Sequence, residues 1–130
     1  MWLRVDGLRT FEMGTPGEMR QRLNDLILTG RKRATAGLLA YDYEAESEEV
    51  ERVGERLALL DNGRHKIAEV EVTRVDVVPF REVTWEFADA EGEGARSVEH
   101  WREGHLRYWT ARGYEVGDDT AVVCLWIRLL

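Results

Sequence analysis

The chain has 130 residues, 44% of them apolar and 33% charged, with two prolines and one cysteine. A chain of this length hides roughly two-thirds of the surface its unfolded form exposes, so one domain over residues 1–130 with a real core is expected and intrinsic disorder is excluded. Eighteen basic and 25 acidic residues leave a net charge of −7, which opposes indiscriminate binding to long duplex DNA and to anionic membranes.

Cys124 has no partner for an internal disulfide or a CxxC pair, which fits a reducing compartment. The N-terminus is charged by Arg4, and no stretch of about 18 apolar residues occurs. Both features lead to the expectation of a soluble, cytoplasmic protein.

Thr15-Pro16-Gly17-Glu18 places a hydroxyl, a proline and a carboxylate at capping-box spacing, which predicts a helix over 16–29 with Thr15 as its N-cap. Met19, Leu23, Leu26 and Ile27 form one apolar stripe, with Arg20, Gln21, Arg22, Asn24 and Asp25 facing outward. Gly30 is placed to end the helix in the left-handed conformation. Residues 33–41 read as a short strand of small side chains, and acidic 42–56 as a solvated loop or short helix. Arg56–Leu60 and His65–Val78 flank Asp61-Asn62-Gly63-Arg64, which predicts a hairpin turning on Asn-Gly. In its second arm Ala68, Val70 and Val72 alternate with Glu69, Glu71 and Thr73, giving one buried and one wet face.

Pro79 ends that strand, and 80–90 carries a short helix with Val83, Trp85 and Phe87. Glu91-Gly92-Glu93-Gly94 breaks the chain into a loop. Ser97 is the expected cap of a second long helix, in which Val98, Trp101, His105, Tyr108 and Trp109 recur at spacings of three and four, with Gly113 closing it. Ala121–Leu130 is an apolar strand placed centrally in a sheet. Antiparallel strands with inserted helices give an α+β class, and a small mixed β-barrel is one way to leave no free edge.

No GxGxxG, Walker A, HExxH or GxSxG pattern occurs, and His65, His100, His105 and Cys124 lack metal-site spacing; no cofactor or metal is expected. The unusual element is Gly30-Arg31-Lys32-Arg33-Ala34-Thr35, a cationic cluster in an acidic chain. Cations here would stabilise the C-terminal end of the preceding helix. Alternatively, strand alternation aims Lys32 into a cleft and leaves Arg31 and Arg33 on the opposite face. On the second helix, Trp101 and Trp109 read as core and His105 as a hydrogen-bonded buried histidine. Arg102 and Tyr108 remain candidates for rim contacts to a stacked base.

Gly30-x-Lys32-x-x-Thr35 directly after an amphipathic helix resembles the GxKxxT signature of the ASCH (activating signal cointegrator homology) domain, a PUA-like family. The Asn62-Gly63 hairpin, Val78-Pro79-Phe80, the Glu91–Gly94 loop before Ser97-Val98-Glu99-x-Trp101-Arg102 and the closing apolar strand agree with it over roughly residues 11–130. The resemblance implies a small mixed β-barrel with helices around it, and a cleft that holds RNA or a small nucleoside-like ligand. It implies two kinds of function. One is RNA or nucleotide binding through Lys32 and its neighbours Gly30, Arg31 and Arg33, with Arg102 and Tyr108 at the rim. The other is a hydrolase, either an N4-acetylcytidine-type amidohydrolase or a ribonuclease, whose catalytic residues would be Lys32, Thr35 and a loop glutamate, Glu93 in preference to Glu91. The chemistry is coherent: a desolvated lysine with a lowered pKa can take the proton of a threonine nucleophile, and a carboxylate can orient the lysine or protonate a leaving amine.

Overall fold

In a computed structural model that describes all residues 1–130, six strands and three α-helices follow in the order β1 (Arg4–Val5), β2 (Leu8–Phe11), α1 (Glu18–Leu28), β3 (Ala34–Leu38), β4 (Arg56–Leu60), β5 (Lys66–Pro79), α2 (Trp85–Ala90), α3 (Val98–Ala111) and β6 (Ala121–Leu129). The strands form one mixed sheet in the order β1-β2-β4-β5-β6-β3. All neighbours are antiparallel except β2 and β4. The α+β class holds, but β1 and β3 remain unpaired edges, so the pairing does not close the expected barrel.

The apolar β6 lies inside the sheet between β5 and β3, where Val122, Val123, Cys124, Leu125 and Ile127 are buried. Its alternation serves two cores. Val122 and Cys124 pack with Ala34, Leu38, Phe80, Phe87, Trp101 and Trp109 beneath α2 and α3. Leu125 and Ile127 pack with Phe11, Leu23, Ile27, Leu57 and Val70 against α1. Trp101 and Trp109 are thus core, as their spacing predicts. In β5, Val70 and Val72 are buried while Thr73 is exposed, which is the half-wet pattern of the sequence.

Three local expectations fail for identifiable reasons. The N-cap of α1 is Gly17, at φ 111°, with no side-chain cap. The side chain of Asn62 takes over, its Oδ1 accepting from Gly17 N at 2.7 Å and its Nδ2 donating to Gly17 O at 3.0 Å; Thr15 turns to Met19 instead. The hairpin likewise does not turn on positive φ at Asn-Gly. The left-handed residue is Arg64 at φ 61°, because Asp61 Oδ1 accepts from both Gly63 N and His65 N and so shapes a longer loop. Two residues of α1 predicted to face water are buried: Arg20 donates to Met13 O and Gly14 O, and Asn24 to Leu60 O.

Residues 39–43 form a π-type turn and Glu44–Glu46 a 3₁₀ turn, so the acidic segment begins as tight turns that fold over the end of β3. Ser97 caps α3 as expected, accepting from His100 N at 3.0 Å.

Candidate functional site

The site begins where α1 ends. Gly30 takes φ 79°, and the amides of Arg31 and Lys32 both donate to Leu26 O at 2.9 Å, which turns the chain out of the helix towards β3. Arg33 N then donates to Ala90 O at 2.8 Å and ties this stretch to the end of α2. At Gly92, φ is 68° and a Cβ would stand 2.2 Å from Arg31 O, so only glycine lets the 91–94 loop lie against the Arg31–Lys32 backbone. That contact brings Glu91 and Glu93 onto Lys32.

Alternation works as predicted across the cationic cluster: Lys32 is 2% exposed, while Arg31 and Arg33 are on the surface. Lys32 Nζ donates to Glu91 Oε2 at 2.9 Å, Glu93 Oε2 at 2.7 Å and Ala34 O at 2.9 Å. Those three contacts use all the donors of an ammonium. Burial alone would push this ammonium down, but Glu91 and Glu93 more than offset it, and its pKa lies above the ordinary lysine value. The lowered lysine expected from the sequence is therefore not found: its two carboxylates hold the proton in place.

Glu91 is equally buried. Its Oε1 accepts from Trp101 Nε1 at 2.6 Å and faces His105 Nε2 at 3.0 Å, while its Oε2 meets Lys32. Burial would raise its pKa, but Lys32 and His105 hold it well below the usual carboxylate range. Glu93 is half-buried, and burial raises its pKa despite Lys32, with the charge of Glu91 adding to the rise. The two loop glutamates thus differ in kind. Glu91 is locked and ionised, while Glu93 is reachable and is the one that more readily accepts a proton.

Thr35, Glu93, Glu91 and His105 line a cleft of about 560 Å³ that runs from α1 and β3 to α3. Thr35 pairs in register with Leu125, which lines the same cleft. Further along, Tyr41 and Tyr114 stack with ring centroids 4.3 Å apart. Arg112 lies over both Tyr108, at 5.6 Å, and Tyr114, at 5.3 Å. Six carboxylates line the cleft (Glu12, Asp42, Glu46, Glu51, Glu91 and Glu93) against one arginine, Arg112. Such a lining disfavours a polyanion. No group of three or more His, Cys, Asp or Glu side chains is placed to hold a metal ion.

The residues predicted from the sequence separate into three places. Thr35, Glu93 and Tyr108 line the cleft, and Lys32 lies in its wall beneath the two glutamates. Gly30, Arg31 and Arg33 line a different, shallower depression with Gly92 and Gly94. Arg102 joins neither. Its Nη2 donates to Arg81 O at 2.8 Å and Val83 O at 3.0 Å, fastening α3 to the segment before α2, so the expected rim contact is replaced by a structural one. Sequence reasoning undervalued Glu91 and missed Tyr41, Asp42, Glu51 and Arg112. Tyr41 and Asp42 had no signal beyond composition, because the π-type turn that presents them has no sequence period.

The sequence profile of the ASCH domain matches residues 9–130. A crystal structure of an Enterococcus faecalis V583 protein is similar at 27% identity and a TM-score of 0.82, covering 98% of this chain and 79% of that one. The crystal structure of an ASCH domain from Lactobacillus crispatus JV V101 is similar at 27% identity and a TM-score of 0.77, covering 92% of this chain and 77% of that one. A comparison with curated proteins finds no match. No helix is long and apolar enough to cross a membrane.

Proposed function

This chain belongs to the ASCH domain family, which is generally considered RNA-binding, and from that premise we propose that its cleft takes a modified nucleoside and hydrolyses an exocyclic amide on it, as in N4-acetylcytidine. One observation carries this reading: a hydroxyl, Thr35, and a carboxylate free to accept a proton, Glu93, line one nucleoside-sized cleft whose walls are acidic. A neutral nucleoside enters such a cleft without the repulsion a phosphate chain would meet. Tyr41, Tyr108 and Tyr114 line the same cleft, where a base would stack by displacing the Tyr41–Tyr114 or Arg112 contacts.

In this reaction Glu93 takes the Thr35 hydroxyl proton as Oγ attacks the amide carbon. The C–N bond breaks, the amine leaves with the proton returned by Glu93, and an acyl ester remains on Thr35. Water, deprotonated by Glu93, then attacks the ester carbon; the ester C–O bond breaks and Thr35 recovers its proton as the carboxylic acid departs. Lys32 remains an ammonium throughout. Its work is to hold Glu93 in place and to offset the charge of both glutamates.

The test is release of cytidine from N4-acetylcytidine. Thr35→Ala should abolish it, and Glu93→Gln should cost about 10²–10⁴-fold in kcat; activity retained in Thr35→Ala would end the threonine nucleophile. RNA binding is the second reading, supported by the depression around Arg31 and Arg33. On that reading affinity for single-stranded RNA falls steeply with salt and with charge reversal at Arg31 or Arg33, and no turnover occurs.

A further inference from the structure

His105 is placed between two acceptors. Its Nδ1 is 3.0 Å from Trp101 O, a carbonyl that only accepts, so Nδ1 carries a hydrogen. Its Nε2 is 3.0 Å from Glu91 Oε1. One proton must lie between those two atoms, and Glu91 is the poorer place for it: the same Oε1 already accepts from Trp101 Nε1, and Oε2 faces the Lys32 ammonium. The ring also lies flat on the indole of Trp101, with centroids 3.9 Å apart and planes 19° from parallel, an arrangement that favours a cation.

We infer that His105 is a positioning residue, an imidazolium that neutralises Glu91 and so leaves Lys32 free to hold Glu93 as a carboxylate. The charges then close: Lys32 and His105 positive, Glu91 and Glu93 negative. The titratable groups acting on the ring are Glu91 and Glu93 from the loop; Lys32, from the chain entering β3, and Cys124, from β6, meet the same Glu91. Burial works against the imidazolium, but Glu91 and then Glu93 raise the His105 pKa above its ordinary value, in the same direction as the geometry.

The activity part of this inference rests on Glu93 as the base of the proposed hydrolysis; the charge state does not. Ring ¹⁵N and carboxyl ¹³C resonances, titrated in the whole protein, read both groups directly. His105 should give the shifts of a doubly protonated ring at pH 7. In His105→Gln, which keeps a donor towards Glu91 but loses the charge, the Glu93 midpoint should rise by about half a pH unit or more, and the acid limb of kcat/KM for N4-acetylcytidine should move up with it.

Linkage requires the reverse effect: Glu93→Gln should lower the His105 midpoint. This second variant, at a half-buried position, keeps the test alive if His105→Gln does not fold. A neutral ring at pH 7 overturns the inference. So does a His105→Gln protein that is merely less stable, with the Glu93 midpoint unmoved. If no nucleoside is hydrolysed, the two titrations still decide the charge state, and the proposed reaction alone fails.

Discussion

Glu91 and Glu51 are both buried carboxylates in the wall of one cleft, and they respond to burial in opposite ways. Glu91 has the Lys32 ammonium, the Trp101 indole and His105 around it, and its pKa is held down. Glu51 has one side-chain partner, the Tyr43 hydroxyl at 2.8 Å, and makes no ion pair; burial wins and its pKa is raised. Between these two, burial sets the size of the problem, and the ion-paired Lys32 and His105 reverse its sign at Glu91.

The largest test of that difference removes the cation. Lys32→Met leaves Glu91 and Glu93 without their ammonium and should cost about 3–5 kcal/mol in chemical denaturation at neutral pH. Because the folded pKa of Glu91 is depressed, its contribution is present above the ordinary carboxylate range and is lost as pH falls through the folded value. The deficit of Lys32→Met should therefore shrink in acid. A deficit that is flat with pH would mean that Glu91 does not depend on Lys32 for its charge. The same burial means that loss of activity in a Lys32 variant must be read alongside its stability.

The middle-sized test removes the lone partner of Glu51. Tyr43→Phe leaves a buried acceptor unsatisfied and should cost about 1–3 kcal/mol, measured the same way. The smallest effect is expected for Glu51→Gln, which keeps an oxygen for Tyr43. Since the folded pKa of Glu51 is raised, its stabilising contribution is full below the ordinary carboxylate range and is lost as pH rises through the folded value. Relative to wild type, Glu51→Gln should gain stability as the solution is made less acidic. A Tm difference that moved the other way would place Glu51 with Glu91 rather than against it.

The contrast has a counterpart in how far each region could be read in advance. The Lys32 end announced itself: a glycine after an amphipathic helix, three cations and a threonine, followed later by a glycine-flanked pair of glutamates. Helix α3 was equally plain, with Ser97 as cap and a stripe that keeps Trp101 and His105 on one side. The Glu51 end was opaque. Its residues lie in and after a π-type turn, where no period exists to say which side chains turn inward. Thr15 had the right chemistry for a cap and lost the role to Asn62, 47 positions away from it in sequence, because a hairpin loop happened to reach the helix start first.

The sequence by itself determined the main helices and strands and the α+β class, since hydrophobic periodicity depends only on neighbours along the chain, and it offered the inward turn of Lys32 between two outward arginines as one of two readings of the cationic cluster. Tertiary structure alone decided what Lys32 is. Its pKa depends on charges 59 and 61 residues downstream, brought within 3 Å by a glycine whose missing Cβ allows two backbones to touch. Electrostatic energy falls with distance through space and takes no account of distance along the chain, so the proton inventory of Lys32, Glu91, Glu93 and His105 exists only in the fold.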